Sequence, residues 1–465
     1  MRAAFAPQNA PSRPITVVSS DGLEGFLQSL PVAARTWLQA TGFTASLGDV
    51  RLLPDPTTGE VMGAVLGFGT QNARARSRFG LAKCLPALPK GAWHLAGDLT
   101  GAQAEEAALG FLLASHRFDR YCPSANPAEL AQIKAPNAAR AQVLLAMAQG
   151  EFLTRDLINT PASDMGPADL QAAFMALADA FGATASAIVG DDLLAQNFPM
   201  IHAVGRAAGT GRAPRLLELN WGSTGPHLTL VGKGVCFDTG GLNIKPAHGM
   251  LLMKKDMGGA ATVMGLAQMI MALRLPIRLR VLVPAVENAI SGDAMRPRDI
   301  LHSRKGLTVE VNDTDAEGRL ILADALALAN ETPTDAIISM ATLTGSARVA
   351  VGPDLAPYFC DDAGMAAALE SGAAQGFDPV WRLPFHSPYE AWIEPSIADL
   401  DNAPPDGFAG AITAALFLRR FAAHPRYMHF DIYGHSPTDL PARPKGGVGM
   451  GARAIFTALP QMLGL

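Results

Sequence analysis

The stretch that decides the fold is HLTLVGKGVCFDTGGLNIKP, residues 227–246. Its opening, HLTLVG (227–232), is a short apolar run with a glycine exit, the pattern of a strand that ends in a turn. The same rhythm continues downstream. Gly258–Leu273 has the apolar spacing of a helix, IRLRVLVPAV (277–286) that of a strand, LTVEV (307–311) another strand, Gly318–Asn330 a helix and DAIISMATL (335–343) a strand. Strand, loop and helix in this order predict an α/β unit with a mostly parallel central sheet flanked by helices. Such sheets take their ligands beyond the carboxyl ends of the strands.

Upstream, residues 1–135 read as a smaller α/β domain. Pro14–Val18, Gly63–Gly69 and Trp93–Leu95 have strand character, and Gly22–Ala40 and Ala102–Ser115 helical patterning. This part lacks any gathering of carboxylates and histidines, so no chemistry is expected in it. After Pro136 and Asn137, alanine, leucine and methionine recur at helical spacing until the break at Asn159-Thr160-Pro161. The expected organisation is therefore an N-terminal domain over 1–135, a connecting helix over 136–157 and a second domain over 158–465. No internal repeat or low-complexity tract interrupts it.

Composition narrows the function. A chain of 465 residues exceeds one ordinary core, and 49% hydrophobic against 17% charged residues describes a folded globular protein. The net charge of −5 argues against a nucleic-acid partner, which would call for a basic surface. Four scattered cysteines, with no C-x-x-C pair, do not make a disulfide framework. The opening MRAAFAPQNAPSRPITVV has no apolar core of signal-peptide length, and no uncharged apolar run reaches the length of a membrane span. The expectation is a cytoplasmic protein that does not engage a membrane.

Three segments concentrate charge beside glycine. VGKGVCFDTGGLNIKP holds Lys233, Asp238 and Lys245; MKKDMGGAA holds Asp256; NDTDAEGRL holds Asp315, Glu317 and Arg319. Each follows a strand or opens a helix. Carboxylates converging at one sheet edge repel one another unless a cation lies between them. Four of them exceed the needs of one divalent ion and suit two ions sharing bridging carboxylates. Asp315 and Glu317, two apart in an extended loop, leave the chain on the same side. The Arg319 guanidinium just beyond them suits an anion. Taken singly, Asp256 or Asp315 is as well explained as a helix cap; three acid–glycine clusters after successive strands are not. Competing motifs fail. The phosphate-loop pattern around VGKG lacks its leading glycine and its closing Ser or Thr, and neither H-E-x-x-H nor G-x-S-x-G occurs. The stretch Gly449–Ala454 fits a dinucleotide pattern only loosely and reads as a tight loop.

The segments VGKGVCFDTGGLNIKP, MKKDMGGAATV and TDAEGRLILADAL, with VENAISGDAMRPRDIL, SMATLTGSA, GAITAALFLRRF and MHFDIYG, resemble the leucyl aminopeptidase family of dinuclear metallo-exopeptidases. The resemblance covers about residues 150 to 465; the N-terminal part is similar only in size and general α/β character. It implies that Lys233, Asp238, Asp256 and Glu317 hold one divalent metal, Mn2+ or Zn2+. Asp238, Asp315 and Glu317 would hold the other. Lysine as a ligand is not something spacing shows; it must be neutral, a form an adjacent dication favours. The resemblance further implies Lys245 and Arg319 as catalytic residues, with a bicarbonate on Arg319 as general base. Met253, Thr342 and Gly345 would line the pocket for the departing side chain. The expected reaction is attack by a hydroxide held between the metals on peptides with a free N-terminus, and the expected assembly a homohexamer.

Two departures from the family pattern stand out. Asp313 occupies the usual place of Asn, adding a carboxylate near the site, and the segment HSPTDLPARPKGGVGMGARA has extra prolines. His435 within it reads as a solvated loop histidine without a role. The rival readings are a DNA-binding protein, a hydrolase of another amide and an inactive scaffold. The charge opposes the first, and the intact set of family positions opposes the last.

Overall fold

The computed structural model describes residues 3–123, 130–404 and 406–465. The chain divides into two compact units, Met1–Phe152 with Thr438–Lys445, and Leu153–Pro437 with Gly446–Leu465.

In the first unit, β1 (Arg13–Ser19), β2 (Val50–Pro54), β3 (Val61–Gly69), β4 (Ala92–Ala96) and β5 (Gln132–Ile133) form a sheet in the order β2-β3-β1-β4-β5. Only the β2–β3 pair is antiparallel. The three strands expected from sequence are present. The helical pattern over Gly22–Ala40 is broken into Leu23–Ser29 and Val32–Ala40. Pro31 is the cause: it lacks an N–H and holds the preceding Leu30 extended, at φ −85° and ψ 151°. Leu38, Phe43 and Ala45 pack with Val18 and Val65 to form this unit's core.

The second unit is built on a nine-stranded sheet among the described residues. Its strands are β6 (Thr184–Val189), β7 (Arg215–Trp221), β8 (His227–Gly232), β9 (Gly234–Asp238), β10 (Arg278–Asn288), β13 (Ala336–Ala341), β14 (Ala356–Cys360), β15 (Val380–Leu383) and β17 (Tyr427–Asp431). The order is β15-β14-β17-β13-β8-β10-β7-β6, with β9 also on β10. The centre, β17-β13-β8-β10, is parallel, while the β14–β17, β10–β7 and β6–β7 pairs are antiparallel. Strands β8 and β13 are buried at every position, as befits strands covered on both faces. The Gly258–Ala272 and Glu317–Asn330 helices are buried along almost their whole length. The LTVEV segment is a strand but does not join this sheet. As β12 (Thr308–Glu310) it pairs with β11 (Ile300–His302) across a tight turn and with β16 (Leu400–Asp401). No helix among the described residues is long and apolar enough to cross a membrane.

Because β8, β13 and β17 run parallel, their carboxyl ends share one edge. Lys233 directly follows β8, Asp238 ends β9, Thr342 follows β13 and Asp431 ends β17.

Candidate metal centre

Four chain segments meet at that edge. The link between β8 and β9 carries Lys233, and the loop after β9 carries Lys245. A 3-10 turn, Met253–Met257, carries Asp256. The loop after β12 carries Asp315 and runs into the helix whose first residue is Glu317 and third is Arg319. They surround an open cavity of about 580 Å³. Lys233, Asp238, Lys245, Asp256, Asp315 and Arg319 line it, as do Met253, Thr342 and Gly345, while Glu317 lies buried behind. All ten residues singled out from sequence are thus gathered in one place.

The carboxylate oxygens of Asp238, Asp315 and Glu317 lie within 4.8 Å of one another. Lys233 Nζ lies 2.7 Å from Asp256 Oδ2 and 3.0 Å from Glu317 Oε1, and donates to the Thr342 carbonyl at 2.9 Å. Lys245 Nζ lies 2.9 Å from Asp238 Oδ2 and also pairs with Asp315 Oδ1. Neither Asp256 nor Asp315 caps its helix; the N-cap positions are Met257 and Ala316, without side-chain cap bonds. The capping alternative therefore fails for both.

Two glycines permit this closeness. Gly240 turns the loop after β9 at φ +85°, where a Cβ would sit 2.4 Å from the Asn243 carbonyl. At Gly318 a Cβ would sit 2.4 Å from Lys233 Cε. The glycine is what lets the lysine stem cross the start of the helix.

The electrostatics are those of acids crowded out of water. Burial, and then the charge of Asp238, push Glu317 well above the usual carboxylate range. Burial and Asp238 also push Asp315 up, to about 7. Burial raises Asp256 against the pull of Lys233. Burial by itself would lower the Lys233 ammonium, but Asp256, Glu317 and Asp238 outweigh it and hold the group above its ordinary value. Asp238 and Asp315 do the same for Lys245. The lysines thus supply the positive charge the acids require.

Divalent cations fit this donor set. Glu317 Oε2 is buried without a hydrogen-bond partner, an arrangement that costs stability unless a cation satisfies it. Carboxylate oxygens with one amine form a hard donor set that accepts several divalent metals. A dication beside Lys233 would take over the role of its proton and leave the amine free to coordinate.

The family profile described as "Cytosol aminopeptidase family, catalytic domain" matches residues 152–456. The chain belongs to the cytosol aminopeptidase family. A second profile, "M17 aminopeptidase, N-terminal domain", matches residues 13–136. The likeness therefore extends to the N-terminal part, beyond the similarity in size and character seen from sequence. The chain is 39% identical over 367 residues to a probable cytosol aminopeptidase of Roseiflexus castenholzii, covering 75% of each. Its structure resembles the crystal structure of cytosol aminopeptidase from Coxiella burnetii with a TM-score of 0.91 at 42% identity, covering 98% of both chains. It also resembles the bottromycin maturation enzyme BotP in complex with Mn, with a TM-score of 0.86 at 29% identity, over 97% of this chain and 99% of that one. As a cytosol aminopeptidase family member the chain is a peptidase, a hydrolase acting at N-terminal peptide bonds, in a metal-dependent family.

Other residues hold the site in place, and sequence reasoning missed them. Asn288 donates to Asp238 Oδ1 at 2.8 Å and to the Thr314 carbonyl at 2.9 Å. The Thr314 hydroxyl donates to the Gly240 carbonyl at 2.6 Å and accepts from Asn243 N, tying the two acidic loops together. Asn402 accepts from Asn312 N, and its carbonyl takes Arg319 Nη1 at 2.5 Å. Asp431 accepts the N–H groups of Leu343 and Thr344 and the Thr344 hydroxyl. These contacts span 26 to 90 residues of sequence, so no local pattern announces them. Asp313 turns its carboxylate back to accept from Asp315 N at 2.9 Å, shaping the loop it belongs to. His435 is buried, not solvated as a lone loop histidine would be; it lies in the short strand His435–Ser436, which pairs with Gly446–Gly447.

Proposed function

We propose that this chain is a two-metal aminopeptidase that releases N-terminal residues, leucine among them, from peptides with a free α-amine. The convergence of Asp238, Asp315 and Glu317 within 4.8 Å, beside Lys233 and Asp256, carries the reading. Lys233, Asp238, Asp256 and Glu317 would hold one ion, and Asp238, Asp315 and Glu317 the other. Bound there, two divalent ions supply Lewis acidity that activates a water molecule and polarises the scissile carbonyl.

The protein's own groups do the rest. The acidic end of the cavity at Asp256 receives the substrate's α-amine, so a blocked N-terminus is refused. Met253, Thr342 and Gly345 border the departing side chain. Lys245, at the cavity wall, donates to the carbonyl oxygen as negative charge develops on it, an effect worth about 3 kcal/mol in comparable sites. Arg319 lines the same cavity, and its Nε is buried without a hydrogen-bond partner. That free donor suits a small oxyanion, bicarbonate in the family, as a proton carrier between water and leaving amine. Water adds across the C–N bond: its hydroxyl goes to the carbonyl carbon and its proton to the amine. Mn2+ and Zn2+ both suit the donors, and the Mn complex of BotP makes manganese the first to try. A homohexamer in the cytoplasm completes the proposal.

The test is hydrolysis of leucine p-nitroanilide by protein stripped of metal and resupplied with manganese or zinc. Activity that is lost and regained with metal, and absent on the N-acetylated substrate, is the expected result. Failure to take up metal would overturn the ligand assignment.

A further inference from the structure

The cavity wall beyond Asp256 carries two positive charges that the acidic cluster does not use. Lys255 is only 7% exposed and lines the cavity, with Nζ 4.8 Å from the ring centroid of Tyr433. Arg348, in the Gly345–Val351 helix, also lines the cavity and places its guanidinium carbon 5.0 Å from the same centroid. The two cations flank one aromatic side chain. Among the described residues neither makes an ion pair or a side-chain hydrogen bond. Asp256, next to Lys255 in sequence, is already engaged: Oδ1 accepts from the Thr342 hydroxyl and Oδ2 pairs with Lys233. Lys233 and Lys245 each have carboxylates, and Arg319 has the Asn402 carbonyl.

The position of the pair is informative. Lys255 is two residues from Met253 on the same 3-10 turn, and Arg348 is one turn along the helix that Gly345 opens. Both therefore stand on the wall that borders the departing side chain. A buried ammonium without an anion, facing an open cavity, is unfavourable unless the cavity's occupant brings the anion. The aromatic ring keeps both cations oriented without neutralising them.

We propose that Lys255 and Arg348 form an anion subsite that selects substrates carrying a carboxylate close to the scissile bond. The carboxylate has two possible sources: the side chain of an N-terminal Glu or Asp, and the free C-terminus of a dipeptide. The inference rests on the aminopeptidase reading above. The same charges disfavour an N-terminal Lys or Arg, because like charges meet at the cavity wall.

The experiment compares kcat/KM of the metal-loaded enzyme on the p-nitroanilides of Glu, Gln, Leu and Lys, and on Leu-Gly against Leu-Gly amide. Glu and Gln have the same shape, so their ratio reads the charge alone. The wild type should prefer the carboxylate member of at least one pair by roughly tenfold or more, the scale of one charge-assisted hydrogen bond. A preference for Glu over Gln locates the carboxylate on the side chain; a preference for Leu-Gly over its amide locates it at the C-terminus. In Arg348→Gln and Lys255→Gln the preference should shrink toward unity. Arg348→Gln is the cleaner variant, since that residue is exposed and, unlike Lys255, is not a sequence neighbour of a proposed metal ligand. Leucine p-nitroanilide turned over with both ratios near or below one would overturn the inference while leaving the aminopeptidase reading intact. So would a preference that both variants keep. If no substrate is hydrolysed by metal-loaded protein, the aminopeptidase reading fails and this inference falls with it.

Discussion

Asp431 offers a direct test of how the cavity wall is held. Its Oδ1 accepts from Leu343 N at 3.1 Å and Thr344 N at 3.0 Å, and its Oδ2 from the Thr344 hydroxyl at 2.6 Å. The loop so fixed begins at Thr342, whose carbonyl receives Lys233 and whose hydroxyl reaches Asp256. Asp431→Ala removes one acceptor from three donors. Each donor left unpaired in the interior costs about 1–3 kcal/mol. Leu343 and Thr344 are only half-buried, so water can replace part of the loss, and the expected total is roughly 2–4 kcal/mol. Asp431→Asn keeps an oxygen for the two N–H groups but presents an amide to the hydroxyl, and should cost about 1–2 kcal/mol. Burial pushes the Asp431 carboxyl up to about 6, so the comparison belongs at pH 8, where the native acid is ionised. The assays are the shift in the urea midpoint of the second unit's transition and hydrogen exchange at the Leu343 and Thr344 amides. Faster exchange at both amides should accompany the loss, with KM rising as the wall loosens. Unchanged midpoint and exchange in Asp431→Ala would refute the claim that this carboxylate holds the loop.

Three further outcomes are expected. Gly318→Ala puts a methyl 2.4 Å from Lys233 Cε; overpacking of this kind costs about 1–3 kcal/mol, and displacement of the lysine should lower bound metal per chain, so undiminished metal by elemental analysis would count against the close-packing argument. Lys245→Ala should lower kcat by on the order of 10²–10³-fold while metal content is retained, and wild-type turnover would remove the residue from the mechanism. Asp324 is buried, accepts from Met200 N, Ile201 N and Arg304 N, and is pushed up by burial to about 7; its folded pKa lies above the roughly 3.9 of an unfolded chain, so the folded state holds the proton more tightly and stability falls as pH rises from about 4 to about 7, a slope that should flatten in Asp324→Asn and whose persistence there would assign it to other groups.

Much of the second unit is legible in the sequence because its signals are local. The apolar runs at 227–232 and 277–286 and the helix spacing after Gly258 and Gly318 depend on residues a few positions apart, and burial on both faces makes such runs near-continuous. In the first unit the strands are legible for the same reason. The single helix expected over Gly22–Ala40 is two helices, because Pro31 outweighs the periodicity around it. LTVEV is a strand, as its residues suggest, but in a different sheet from the one its neighbours form: a three-residue strand carries no information about its partner, and β11, beside it in sequence, claims it.

For the site, the acid–glycine clusters are enough to single out Asp238, Asp256, Asp315 and Glu317 as ligand candidates, while Lys233 as a ligand is implied only by the family resemblance. They can do so because charge beside glycine after a strand is expensive to bury without a purpose, and that expense is visible residue by residue. What tertiary structure alone decides is convergence. Nothing in the chain says that Lys233 Nζ will stand 2.7 Å from Asp256 and 3.0 Å from Glu317. That Asn288, Thr314, Asn402 and Asp431 will bind the loops together, or that Lys255 and Arg348 will share one tyrosine ring, is equally invisible. Those relations arise where parallel strands bring distant loops to one edge, and they are set by the register of the sheet and the packing of its helices, to which no short stretch of sequence has access.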